Sequence, residues 1–253
     1  RRAITEDTGM IFSAHRSNFR MEGFTESPTL GELSTLKNEN LLFVRDLGSG
    51  NLFPANELSA PLDPPVRQEL SQGPDLLCFS GDKLLGACQA GIITGRKDLV
   101  KKLRKNPLMR MLRMDKISYY ILQESLLAYT RGERESLPLW NMLLQPKSAI
   151  DSRIRSFQRK VSPALKLHMK KISTSATLGG GSMPGYVMAS AGISISIPGR
   201  SPDAVADFLS SADVPLIGVI NEGTFVIDFF TVFDNDISDL VSSVNSLTGF
   251  LEN

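Results

Sequence analysis

Cysteine is nearly absent from this chain: Cys78 and Cys88 are the two in 253 residues. That is too few for a disulfide framework and fits a reducing compartment. Histidine is as scarce, and His15 and His168 fall in different expected domains, so a metal centre is not expected. Long apolar runs are missing too. None approaches the roughly 20 residues a membrane helix requires, and no membrane partner is expected. There is no excess of one charge, since 28 Lys and Arg stand against 27 Asp and Glu. That removes the bulk electrostatic case for DNA or a membrane and leaves room only for a local basic patch. Internal repeats and low-complexity segments are lacking as well. What remains is an ordinary composition, 42% hydrophobic and 22% charged, able to bury a core.

The chain opens at Arg1 rather than Met, and RRAITEDTGMIFSAHRSNF reads as the middle of a domain; a processed or truncated chain is the expectation. Short apolar runs alternate with polar ends through the first half. Strands are expected at Met10–Ala14, Leu41–Val44, Leu76–Phe79 and Ala90–Thr94. Helices are expected at Leu30–Asn38 (capped by Thr29), Pro64–Gln72 and Lys97–Lys105. Strands that are apolar throughout and alternate with helices predict an α/β domain with a mostly parallel sheet over residues 1–145. Pro107 is read as opening one long helix to about Thr130. Beyond Ser148–Val161, another helix, the pattern changes to strands at Leu165–Ile172, Tyr186–Ile197, Leu216–Asn221 and Thr224–Thr231. Helices Pro202–Ser210 and Ile237–Leu251 complete a small α+β domain over 146–253.

Ligands of open parallel sheets sit beyond the C-terminal strand ends. Three polar clusters would gather there: His15–Asn18, Asp46–Gly50 and Ser80–Lys83. A carboxylate at one strand end and a lysine at the next suit pyridoxal phosphate. The lysine can hold the cofactor aldehyde, and the carboxylate keeps the pyridine nitrogen protonated. An Asp ending a strand and a Lys on a loop are also ordinary in α/β proteins, and spacing alone does not separate the two. Cys78 reads as packing inside a strand, and Cys88 reads the same way. Lys97, Lys101, Lys102, Arg104 and Lys105 make a basic helix face, by default a solvated one. Gly179-Gly180-Gly181 lacks the lysine of a phosphate loop and reads as a flexible connector.

The run FSGDKLLGACQAGIITGRKDLVKKLRKNPLMRMLRMDKI, with HRSNFRMEGFTE, RDLGSGNL and GGGSMP, closely resembles bacterial selenocysteine synthase, the L-seryl-tRNA(Sec) selenium transferase. The matches run in family order over nearly the whole chain. The resemblance implies a pyridoxal-phosphate fold-type-I large domain followed by a small α+β C-terminal domain. By the same resemblance Lys83 is the cofactor lysine and Asp46 the partner of the pyridine nitrogen. Ser80 reaches the phosphate, and His15 and Asn18 are wall residues. Arg110 and Arg113 are the pair for selenophosphate, where guanidinium forks suit an anion. The resemblance also implies seryl-tRNA(Sec) as substrate, a cytoplasmic homo-oligomer built from dimers, and an N-terminal half missing here. Two positions depart from the family run: Ala87 and Cys88 stand where it has Gly and Pro. The competing readings are a related lyase acting on a small amino acid and a non-catalytic scaffold or subunit.

Overall fold

The computed structural model describes residues 2–16, 23–54, 63–179, 181–183 and 185–251. The chain forms two compact units, Arg1–Leu144 with Leu178–Tyr186, and Gln145–Thr177 with Val187–Asn253. Residues Leu178–Tyr186, expected with the C-terminal domain, therefore pack with the first unit.

In the first unit β1 (Met10–Ala14), β2 (Leu42–Gly48) and β3 (Leu76–Ser80) are parallel, and β4 (Gly91–Gly95) closes the order β1-β2-β3-β4 antiparallel to β3. Between β1 and β2 lies α1 (Leu30–Ser34), where Thr29 and Glu32 form a reciprocal capping box. Between β2 and β3 lies α2 (Val66–Ser71). Leu47, Leu77, Phe79, Leu85 and Val66 are buried together, so β2 and β3 are held by the helix packed over them. Each such side chain contributes roughly 1.5–3 kcal/mol by leaving water. The mostly parallel sheet expected from the apolar strands is thus present.

After β4 come α3 (Lys97–Lys105), α4 (Leu108–Leu112), α5 (Lys116–Arg131) and α6 (Pro138–Leu144). The single long helix expected from Pro107 to Thr130 is broken. Arg113 is extended, and Asp115 caps a new helix by accepting from the backbone N–H of Ile117 and Ser118. An aspartate able to satisfy two orphan N–H groups wins over continuation of the helical pattern. Gly132, at φ 73°, then ends α5 in the left-handed region.

The second unit holds α7 (Lys147–Lys160), α8 (Pro163–Lys166), β5 (Met169–Thr177), β6 (Val187–Ile195), α9 (Pro202–Ser210), β7 (Val219–Asn221), β8 (Thr224–Asp228), α10 (Ile237–Asn245) and α11 (Thr248–Leu251). Its antiparallel sheet has the order β5-β6-β8-β7. Ile150, Ile154 and Phe157 recur at helical spacing on α7 and pack with Ile193, Ile195, Phe225, Ile227 and Val244 in one core. Leu165, expected in a strand, lies instead in α8, where Pro163 occupies the first helical turn.

Candidate functional site

The parallel strands of the first unit end on one side of the sheet, and the expected residues of three strands meet that edge. Ala14, Asp46 and Cys78 are in register across β1, β2 and β3, so their side chains share one face. Asp46 is half-buried. Burial raises the Cys78 thiol, and the negative charge of Asp46 raises it further. Cys88 donates its thiol to the Ser118 carbonyl at 3.2 Å.

Ser80 ends β3, and the next residues turn sharply. A side chain on Gly81 would collide with the Cys88 carbonyl at 2.6 Å, and one on Gly50 would meet Phe79 at 2.6 Å and the Ser80 carbonyl at 2.9 Å. Glycine is therefore required just past the ends of both β2 and β3. Leu84 and Leu85 are fully buried and draw the turn inward, leaving Lys83 half-buried just before them. Behind this turn Trp140 Nε1 donates to the Leu84 carbonyl (3.1 Å) and to Tyr129 Oη (2.6 Å), while Tyr129 Oη donates to the Leu85 carbonyl (2.7 Å). Phe53 packs on both rings, and the Arg134 guanidinium stands 4.2 Å above Phe53. Lys83 is thus carried on a backbone clamped by two aromatic hydrogen-bond donors.

Burial pushes the Tyr129 phenol up to about 12, with the Trp140 hydrogen bond acting the other way. Its neutral form is therefore favoured by folding. The stabilisation is complete below the ordinary phenol value near 10 and is lost as pH rises toward 12. We expect Tyr129→Phe to flatten the fall in stability between pH 10 and 12, at a cost of about 1–3 kcal/mol near neutrality for the unpaired Leu85 carbonyl. Denaturant midpoints measured across that window check it. An unchanged alkaline limb would remove Tyr129 from the account.

The side chain of Lys83 lies against Gly181. A Cβ on Gly181 would fall 2.7 Å from Lys83 Cε and 2.9 Å from Nζ, and Gly181 sits at φ +90°. Ser182 and Met183 are buried beside it. The Gly179–Gly181 stretch, read from sequence as a flexible connector, is at Gly181 a close cover on the lysine. Its neighbours are pinned through Asp63. That buried carboxylate receives His15 Nε2 at 3.2 Å. Burial would raise the Asp63 pKa, but hydrogen bonding from His15 and Ser49, the charge of His15 and the Met183 backbone outweigh it and leave it lowered. Asn51 holds the Asp63 carbonyl at 2.6 Å. The His15 backbone N–H in turn donates to the Asp46 carbonyl at 2.7 Å.

The structure thus brings Lys83, Ser80, Asp46 and His15 to the ends of adjacent strands. Asn18 lies outside the described residues. Arg110 and Arg113, both inside the single helix expected from Pro107, are not on one helix, because Arg113 lies beyond the end of α4; both are exposed, and neither has an ion-pair partner among the described residues. Sequence reasoning gave no role to Asp63, Ser49, Tyr129, Trp140 or Met183. Ser49 and Met183 lie in runs matched to the family, RDLGSGNL and GGGSMP, and Ser49 also in the Asp46–Gly50 cluster; the other three carried no signal.

Asp63→Ala removes the acceptor that ties His15 and Met183 together. We expect faster amide hydrogen exchange over 178–186 and a loss of about 1–3 kcal/mol. Unchanged exchange there would show that the cover is held by other contacts.

The L-seryl-tRNA selenium transferase family model matches residues 1–233. The chain belongs to that family. Selenium transferase relatives that it resembles include those of Hyphomonas neptunium, 36% identical over 244 residues, and Carboxydothermus hydrogenoformans, 37% identical over 240 residues. These alignments cover 95% and 94% of this chain but 53% and 52% of the relatives, so the chain spans about half the length of the curated selenium transferases it matches. Among solved structures, a D-glucosaminate-6-phosphate ammonia-lyase shares the fold, with TM-score 0.59 at 16% identity over all of this chain and 60% of the lyase.

The residues present fit the cofactor that the selenium transferase resemblance implies. Gly181 leaves space beside Lys83 Nζ that any other residue would fill.

Proposed function

We propose that this chain carries the lysine-bearing part of a pyridoxal-phosphate enzyme that converts seryl-tRNA(Sec) to selenocysteyl-tRNA(Sec) with selenophosphate. The observation that carries the reading is Lys83: on a clamped turn after a parallel strand, covered by a glycine, one strand from Asp46. Bound pyridoxal phosphate supplies an electron sink for negative charge at the serine Cα. Lys83 Nζ would hold the aldehyde carbon until the serine amine displaces it, and the freed amine would then carry the Cα proton. Asp46 would keep the proton on the pyridine nitrogen. Ser80 donates to the phosphate, and His15, set by Asp63, lines the wall with Asn18. Arg110 and Arg113 bind the anionic selenium donor through charge-assisted hydrogen bonds worth roughly 1.5–3 kcal/mol each. Family membership supports the reading. A cytoplasmic homo-oligomer built from dimers belongs to the same proposal.

The test is chemical. The protein is incubated with pyridoxal phosphate, reduced with borohydride and mapped by peptide mass, and the added mass is expected on Lys83. Label on another lysine, or none, overturns the assignment. Arg110→Lys with Arg113→Lys keeps charge but loses the bidentate fork. That double variant is expected to remove the serine hydroxyl normally and to transfer selenium poorly; an equal fall in both steps would point to a structural role.

A further inference from the structure

The whole chain has a net charge of +1, yet α3 alone bears Lys97, Lys101, Lys102, Arg104 and Lys105 against the single carboxylate Asp98. All five cations are exposed, and no residue of the helix is buried. Asp98 is engaged by the Arg96 guanidinium at 2.8 Å, which lowers its pKa, and none of the five makes an ion pair with a described residue. At about 100° per residue Lys97, Lys101, Arg104 and Lys105 fall on one side of the helix, with Lys102 at its flank. Leu99, Val100 and Leu103 lie opposite and are the partly buried positions. An open depression of about 420 Å³ is lined by Lys101, Arg104 and Lys105.

Holding so many like charges together costs self-repulsion that no ion-pair partner among the described residues offsets. A polyanion offsets it. The face runs roughly 12 Å along the helix axis from Lys97 to Lys105, so it meets a chain of anionic groups rather than one small anion. The apolar positions point inward, so the outer face has nothing to insert into lipid, unlike an interfacial membrane helix. There is no aromatic side chain on α3 to stack on a base.

We propose that the outer face of α3 is a docking surface for the sugar-phosphate backbone of RNA, gripping it through phosphates without reading sequence. It rests on the reading above that a charged tRNA is the substrate, and gives that substrate a second hold on a helix separate from Lys83.

The test uses the whole 253-residue chain and fluorescently labelled transfer RNA, with affinity followed by anisotropy from 50 to 200 mM salt. Lys101→Gln/Arg104→Gln/Lys105→Gln keeps good helix formers at exposed positions. It is expected to weaken binding about tenfold or more at low salt and to reduce the slope of log affinity against log salt by about 2–3. The control is Arg155→Gln/Arg159→Gln/Lys160→Gln on α7, which removes the same charge from other exposed positions. It is expected to have less than half that effect. No binding by the unmodified chain, no change in the α3 variant, or equal loss in the control overturns the proposal. Stronger α3-dependent binding to phosphatidylserine vesicles than to RNA also overturns it, in favour of a membrane. Borohydride labelling of Lys83 is run on the same samples. Its failure with α3-dependent RNA binding intact would sink the cofactor reading and leave this surface standing.

Discussion

Asp46→Asn is expected to leave pyridoxal phosphate bound while slowing loss of the serine hydroxyl by about a thousandfold. The residue is half-buried in the middle strand of three parallel ones, where a charge is screened less than at the surface. In the proposed role, a carboxylate there would hold a proton on the pyridine nitrogen; an amide of the same shape carries no charge to do so. A thousandfold corresponds to about 4 kcal/mol of barrier, in the range expected when one member of a buried charge pair is removed. Single-turnover dehydration of seryl-tRNA(Sec), with cofactor content assayed in the same sample, makes the comparison. Turnover within about threefold of the parent would remove Asp46 from the mechanism. A second readout needs no cofactor. Burial and the Asp46 charge together raise the Cys78 thiol, so the alkylation profile of Cys78 should move to lower pH in Asp46→Asn. An unmoved profile would mean that the carboxylate does not act across that face.

The other large effect lies on the opposite face of the same strand. Arg45 Nε donates to Glu69 Oε2 at 2.8 Å and Nη1 donates to Ser13 Oγ at 3.0 Å, with the paired side chains 10% and 5% exposed. Glu69→Ala strands a buried guanidinium, and the expected loss is about 3–5 kcal/mol. Replacing both partners by apolar residues, Arg45→Met with Glu69→Leu, removes the desolvation cost together with the attraction and should recover most of that loss. Urea unfolding of the three proteins tests this. A single-variant loss below about 1 kcal/mol would mean that water reaches the pair and screens it, as at a surface. Neither variant touches the Asp46 side of the sheet, so retention of cofactor by the double variant would separate the strand's two tasks.

The sheet of the first unit was legible because its strands are short apolar runs ending in polar clusters. The positions of Lys83 and Asp46 near the strand ends were legible for the same reason, as polar residues closing such runs. Helix boundaries were legible where a cap dictates them, as at α9, where Ser201 accepts from the Ala204 N–H. They were misjudged where a cap interrupts a continuing pattern, as Asp115 does at α5. Asp63, Tyr129 and Trp140 carry no local signal, since each acts on a turn or loop far away along the chain. Asp63 sits among prolines, and the periodicity of α5 and α6 reads Tyr129 and Trp140 as packing residues. Their hydrogen bonds to Leu84, Leu85 and His15 exist only once the chain is folded.

The cover on Lys83 also sets an order of events in time. Gly181 belongs to the unit that contains Lys83, yet about a hundred residues separate the two along the chain. At roughly 5–20 residues per second of synthesis, Lys83 leaves the ribosome some 5–20 seconds before the glycine that shields it. During that interval the lysine turn has its carbonyl clamp once Trp140 is made, but its amine stays open to solvent and to any free aldehyde. Cofactor offered in this window would meet the amine before Gly181 lies against it, whereas cofactor offered later would meet it with Gly181 in place.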